Sequence, residues 1–278
     1  MSLHTERGTL SRSRTKGPAL YFSRVEGDEI KATCGIIPGY ADYGERYEHV
    51  QRAWAERGIT SVAIDLRGHG RAEGPRGSCR HWDEYLDDAE ELFALLDKHA
   101  GKPTFLFGHS FGGVVAAVRA ETRPEGQRAL LLSNPFFKLA LPASGAKLAA
   151  GRLASAFLPF VSVPAGIHGK DLTHDAARAK AYDEDPLIFK KANVRYFTEN
   201  EGAQARAMRG APSFELPLYV VLGTSDPVVS GGREFFDAAA SKDKTLDVRE
   251  GLLHEVLNEP EWPAIAGAMA DWMLARCG

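Results

Sequence analysis

The chain has only three cysteines in 278 residues, and no two of them are close. Cys34, Cys79 and Cys277 form no CxxC pair and are odd in number, which excludes a disulfide framework or zinc site and points to reduced thiols and a cytoplasmic location. An excess of one charge is also missing. Lys and Arg total 34 against 37 Asp and Glu, a formal net charge of −3, so no electrostatic pull marks nucleic acid or an anionic membrane as the main partner. No uncharged apolar stretch approaches the ~20 residues of a spanning helix. The leading MSLHTERGTLSRSRTKG has no apolar run of the ~7–15 residues a secretory signal needs, and reads as a frayed, loosely attached lead-in. There is no repeat and no low-complexity tract.

What is present is enough apolar content, 44%, to bury one α/β core that carries a large insertion. Apolar strands are expected at Ala19 to Val25, Lys31 to Ile37, Thr60 to Asp65, Thr104 to Phe107, Leu130 to Ser133, Leu218 to Leu222 and Thr245 to Arg249. Helical spacing falls between them, at Glu45 to Arg57, Trp82 to His99, Gly112 to Thr122 and Pro263 to Ala275. Strands that are apolar throughout and separated by helices imply a mostly parallel, doubly wound sheet covered on both faces. The alternation lapses from Phe136 to Glu215. An insertion of that size reads as a helical cap over the C-terminal ends of the strands, where such sheets bind ligands. The expected division is therefore core over 1–135, cap over 136–215 and core again over 216–278.

The stretch FLFGHSFGGVV raises a chemical question. Gly108-His109-Ser110-Phe111-Gly112 is a G-x-S-x-G that follows an expected strand and opens an expected helix, the setting that exposes a serine hydroxyl on a sharp turn above a sheet. Small residues on either side let strand and helix approach, and the helix N-terminus leaves the Phe111 N–H free for a developing oxyanion. A serine hydroxyl is a weak nucleophile at neutral pH and requires a histidine base and an orienting acid, here in the chain order serine, acid, histidine. Downstream of Ser110 stand only His168, His174 and His254. The first two fall in polar or Gly/Pro surroundings inside the insertion and read as solvated cap residues, not as bases or as metal ligands with Asp175. His254, in EGLLHEVLNEP, follows the strand Thr245 to Arg249. Asp226, in VVLGTSDPVVS, follows the strand Leu218 to Leu222. Glu255 is set aside as an acid because adjacent side chains rarely face one another. The second oxyanion donor is expected in the loop after Ile37, where Pro38-Gly39-Tyr40 ends an apolar run, and the Tyr40 N–H is the candidate.

Five stretches then carry a resemblance: GIIPGYADYGERY, AIDLRGHGRAEGPRG, FGHSFGG, LGTSDPVV and SKDKTLDVREGLLHEVLNEP, with DEDPLIF in the insertion. From about Lys31 to the C-terminus the chain resembles the monoacylglycerol lipase and lysophospholipase branch of the α/β-hydrolases. The resemblance implies a cofactor-free serine hydrolase of carboxylic esters, with Ser110, Asp226 and His254 as triad and Tyr40 and Phe111 as oxyanion donors. It implies a lipid ester as partner and no metal or nucleotide. One departure stands out, because the family usually has His-Gly where this chain has Pro38-Gly39. Proline offers neither an N–H nor a side-chain hydrogen bond, so this loop must be held in another way. The stretch LAAGRLASAFLPFVSVPAGI, with Leu148, Leu153, Phe157, Leu158, Phe160 and Val161, is apolar enough to line an acyl tunnel, to rest transiently on a micelle or membrane surface, or simply to pack on the core. Fold and triad do not choose the substrate. A short-chain esterase, an aminopeptidase, a carbon–carbon bond hydrolase, an acyltransferase or a non-catalytic binding homologue therefore stay open.

Overall fold

A computed structural model of the chain describes residues 2–140, 157–158 and 161–278. In chain order its early strands are β1 (Leu3–Leu10), β2 (Leu20–Gly27), β3 (Ala32–Ile37), β4 (Ile59–Asp65), β5 (Thr104–His109) and β6 (Ala129–Ser133). Between them run α1 (Glu48–Ala55), α2 (Glu84–Leu96) and α3 (Phe111–Thr122). After β6 come the short strands β7 (Lys138–Leu139), β8 (Ser162–Pro164) and β9 (Lys191–Asn193), with α4 (Ala176–Glu184) and α5 (Val194–Gly210). The chain ends with β10 (Leu218–Gly223), β11 (Val229–Ser230), α6 (Gly232–Ala238), β12 (Lys244–Arg249) and α7 (Trp262–Leu274).

Eight strands form the central sheet, in the order β1-β2-β4-β3-β5-β6-β10-β12. From β4 to β12 every neighbouring pair is parallel, and the two antiparallel pairings lie at the β1 edge. The parallel strands β3 to β6 are buried along almost their whole length, as expected when helices cover both faces. Alternation sorts their side chains onto two cores. Ile36, Phe105, Phe107 and Leu131 meet Trp54 of α1 and Ile265 and Met269 of α7, and the Trp54 indole N–H donates to Ala266 O at 3.0 Å. On the other face Ile37, Leu106, Leu130 and Leu132 meet α2, α3 and the α5 residues Tyr196, Ala203 and Ala207.

The N-terminus corrects one expectation. The lead-in is not frayed: β1 pairs with β2 from Leu3 opposite Gly27 to Leu10 opposite Leu20. Beyond it the backbone N–H groups of Ser13, Arg14 and Thr15 donate to the Glu91 carboxylate at 2.8, 2.8 and 2.6 Å. Its side chains are half exposed and leave no apolar signature. The order comes from a backbone ladder and from a carboxylate far along the chain.

Among the described residues no helix is long and apolar enough to cross a membrane. Leu148, Leu153 and Phe160 lie outside the described residues. Phe157, Leu158 and Val161 are exposed.

Candidate active site

Ser110 sits at the end of β5, at φ 52° and ψ −119°, a region in which a non-glycine residue costs on the order of 1–3 kcal/mol. Glycines on both sides make the turn possible. A Cβ on Gly112 would lie 2.1 Å from Ile37 O and 2.3 Å from Pro38 O, and one on Gly108 would lie 2.4 Å from Gly112 O, so no side chain fits at either position. The turn is tied from outside as well. Ser110 N–H donates to Ser133 O at 3.0 Å, and Ser110 O accepts from Gly113 N–H at 2.9 Å and Phe136 N–H at 3.0 Å.

Asp226 and His254, on the loops after β10 and β12, are brought together: His254 Nδ1 lies 2.7 Å from Asp226 Oδ2. The other carboxylate oxygen accepts the N–H groups of Val228 at 2.7 Å and Val229 at 3.1 Å. Burial pushes the Asp226 pKa up, but the imidazole and these two amides outweigh it and hold the carboxyl below its usual range. An ionised Asp226 fixes the proton on Nδ1 and leaves Nε2 as an acceptor. Ser110 and His254 line one cavity, although no hydrogen bond joins the Ser110 hydroxyl to His254 among the described residues. Such contacts often tighten only when substrate is bound.

Tyr40 lines the same space, and Phe111 follows Ser110 directly. Phe111 opens α3, where the first amides of a helix have no intrahelical acceptor. Gly39 keeps the other loop close to Ser110, since a Cβ there would stand 3.4 Å from Ser110 Cβ. The proline loop is held by side chains. Tyr40 Oη donates to Gly77 O at 2.8 Å. Asp42 accepts from Arg46 Nη1 at 2.8 Å and from the Tyr47 hydroxyl at 2.9 Å.

Three participants are not visible in the sequence. Asn134, at φ 37°, donates from Nδ2 to Leu253 O at 3.0 Å and His254 O at 2.7 Å, and accepts from Gly223 N–H at 2.9 Å. One carboxamide thus joins the ends of the serine side, the acid strand and the histidine loop. Its only sequence signal is an Asn-Pro turn after an apolar strand. The second is Glu255, which binds Arg46 with both oxygens at 2.8 and 2.6 Å and so connects the His254 loop to the Tyr40 loop. Burial acts to raise its pKa, and the guanidinium overrides this and holds it at about 2. The third is His109, whose ring centroid lies 4.7 Å from that of His254. Burial, with the neighbouring His254, drives its pKa down to about 3, so it stays neutral beside His254.

The cavity holds about 180 Å³. Its wall is mainly apolar and comes from both the core and the segment before β10, including Phe136, Ile167, Leu172, Tyr196, Phe197 and Val228. Its carboxylates among the described residues, Asp42 and Glu255, are engaged by Arg46. His168 and His174 lie at a separate surface groove, with His174 Nδ1 3.0 Å from Glu259. No group of three metal-ligating side chains converges among the described residues.

A mostly parallel sheet with flanking helices, a serine elbow after its fifth strand and an acid and a histidine on the loops beyond make this an α/β-hydrolase. Comparison with known proteins narrows the class. The family model described as "Serine aminopeptidase, S33" matches residues 28–261, and the chain belongs to that family. Within it the chain falls in the monoacylglycerol lipase branch. It is 29% identical over 252 residues to a monoacylglycerol lipase of Mycolicibacterium smegmatis, covering 87% of each chain. It is 30% identical to the phospholipase YtpA of Bacillus subtilis, covering 85% of this chain and 92% of that one. The solved monoacylglycerol lipase of Paleococcus ferrophilus superposes with a TM-score of 0.82 at 25% identity, covering 92% of this chain and 99% of that one. The chain spans only 26% of an uncharacterised abhydrolase domain-containing protein of Dictyostelium discoideum, at 29% identity.

Proposed function

We propose that the protein hydrolyses the carboxylic ester of an acyl chain, with a monoacylglycerol or a lysophospholipid as substrate. Residues 136–215 act as a cap over the reaction centre. The observation that carries this reading is that Ser110 and His254, the latter paired with Asp226, line one largely apolar cavity, suited to an alkyl chain and not to a charged group.

In this reading His254 Nε2 takes the Ser110 proton as Oγ bonds to the ester carbonyl carbon, and the carbonyl π pair moves onto oxygen. The backbone N–H groups of Tyr40 and Phe111 stabilise that oxyanion. Collapse of the tetrahedral adduct breaks the C–O bond, and the leaving alcohol takes the proton from His254. Water, deprotonated by the same nitrogen, attacks the acyl-enzyme and releases the carboxylic acid and free serine. Asp226 balances the imidazolium throughout.

An aminopeptidase, the activity in the family's description, needs an acidic group free to hold a substrate ammonium. Asp42 and Glu255 face the cavity with their oxygens committed to Arg46, Tyr47, Asn258 and backbone N–H groups, which favours esters. The exposed Phe157, Leu158 and Val161 suit transient contact with a micelle or membrane. A fluorophosphonate probe should label the wild type and spare Ser110→Ala. Rates on monoacylglycerols of increasing length should pass through a maximum above p-nitrophenyl acetate. Faster cleavage of aminoacyl-arylamides would overturn the lipid reading.

A further inference from the structure

Tyr40 carries more than a candidate oxyanion N–H. Its hydroxyl donates to Gly77 O at 2.8 Å and accepts the backbone N–H of Asn193 at 3.1 Å. Gly77 lies in the loop after β4. Asn193 ends β9 and caps α5, its side chain accepting the N–H groups of Arg195 at 2.9 Å and Tyr196 at 3.2 Å. One phenolic oxygen therefore joins the core, the oxyanion loop and the segment that begins α5. The ring follows the same route: it stacks on Tyr196 at 3.7 Å and meets Phe189 edge-on at 5.1 Å, while its other neighbours are His69 at 5.3 Å and Phe111 at 6.2 Å. Burial pushes the phenol pKa up, so the hydroxyl stays protonated and donates and accepts at once.

We propose that Tyr40 is a positioning residue whose side chain couples the seating of residues 189–196 to the geometry of the oxyanion loop, so that hole and cap form together. The catalytic consequence rests on the serine hydrolase reading above. The coupling follows from covalent connection. The N–H facing the cavity and the hydroxyl held by Asn193 belong to one residue, two positions after a proline that supplies no N–H of its own. Lifting residues 189–196 breaks the Asn193 bond and the Tyr196 stack and leaves the Tyr40 side chain with Gly77 O and its His69 and Phe111 neighbours alone. The cavity wall includes Ala192, Tyr196 and Phe197, so an acyl chain bears on the same segment. Contact with a non-reacting chain is thereby converted into a better formed hole, binding energy expressed in kcat and not only in KM.

Two substitutions isolate the hydroxyl bridge. Tyr40→Phe keeps ring and backbone and removes both hydrogen bonds. Asn193→Pro removes the backbone donor on the cap side together with the helix-capping side chain: Asn193 has φ −75°, which proline adopts, and the preceding residue lies in an extended strand. Asn193→Ala loses the same helix-capping side chain, keeps the N–H and serves as its control. Backbone amide exchange in the free protein should speed up over both 38–43 and 189–197 in Tyr40→Phe. It should speed up over 38–43 in Asn193→Pro but not in Asn193→Ala. On a medium-chain monoacylglycerol kcat should fall about tenfold in Tyr40→Phe and Asn193→Pro with KM within about twofold, the scale of a small misplacement of catalytic groups. p-Nitrophenyl acetate, whose acyl group is too short to bear on Ala192, should lose less. Exchange over 38–43 that is equal in Asn193→Pro and Asn193→Ala overturns the coupling, as does a change in KM alone. Should the wild type resist the fluorophosphonate, the hydrolase reading fails while the exchange data still judge the bridge.

Discussion

The Asn134 carboxamide holds the backbone of the residue that it serves: its Nδ2 donates to the His254 carbonyl at 2.7 Å. The same group accepts the Gly223 N–H at 2.9 Å, at the end of the strand that leads to Asp226. The loops of Asp226 and His254 are thus spaced by a side chain that hydrogen-bonds neither the carboxylate nor the imidazole.

Replacing Asn134 by Ala should strand two carbonyls and one amide in a buried site, at roughly 1–3 kcal/mol of stability, and lower kcat/KM about 10- to 100-fold by loosening the His254 loop. Asn134→Asp is the sharper variant. It still accepts from Gly223 but presents lone pairs to the Leu253 and His254 carbonyls, so its kcat/KM on p-nitrophenyl butyrate should fall as well. Wild-type rates in Asn134→Asp would show that the donor side does not position the histidine.

Asp226→Asn keeps the shape of the acid. Its side-chain oxygen has reason to stay with the Val228 and Val229 amides, which turns the NH₂ toward His254 Nδ1 and moves the imidazole proton to Nε2. That tautomer cannot accept the serine proton. A loss of about 10⁴ in kcat is expected, the size seen when a triad acid is so replaced, with KM little changed. A loss under about tenfold would assign the orienting role elsewhere.

The sheet is legible because β3 to β6 and β10 are largely apolar runs, and the strained elbow because glycines stand two positions to either side of Ser110. The pairing of Asp226 with His254 followed from chain order and from each lying after its own strand. Other features leave no local trace. β1 is mostly polar between its two leucines and is ordered by a ladder to β2, while Glu91 ties down the residues that follow it. Arg46 meets Glu255 across 209 positions, and no periodicity reports such a pair. The same holds for Tyr40, whose tie to Asn193 depends on where an insertion of unknown conformation comes to rest. Glu255, although adjacent to His254 in the chain, faces Arg46 instead.

Two buried histidines should make the fold acid-sensitive. Burial lowers the His69 pKa to about 4 and the His109 pKa, with help from His254, to about 3. In the unfolded chain both titrate near 6.5. Below that value the unfolded state binds more protons, so the stability present at neutral pH is lost as pH falls from about 6.5 toward 3. For His69 alone the full effect is on the order of 3 kcal/mol. His69→Phe, which keeps a ring among Tyr40, Phe111 and Phe189, should flatten the fall of the urea midpoint over this interval. An unchanged slope would mean that His69 does not titrate with unfolding.

Glu121 works in the opposite direction. It lies near the end of α3 against the last turn of α5, where a Cβ on Gly210 would stand 2.3 Å from its carboxylate. Its Oε1 is buried without a hydrogen-bond partner among the described residues. Burial raises its pKa to about 8, opposed only by Arg206 of α5. An unfolded glutamate ionises near 4.3, so between that pH and about 8 the folded state holds a proton that the unfolded state has released. Stability from this site is therefore full in acid, declines as pH rises through that interval and is level above it. Glu121→Gln keeps the shape and cannot ionise. Its urea midpoint should match the wild type near pH 4 and exceed it by a growing margin up to pH 8, and taking the difference between the two proteins cancels every other titrating group. A difference that stays flat from pH 4 to pH 8 would show that the Glu121 carboxyl finds water or a counter-charge at the junction of α3 and α5.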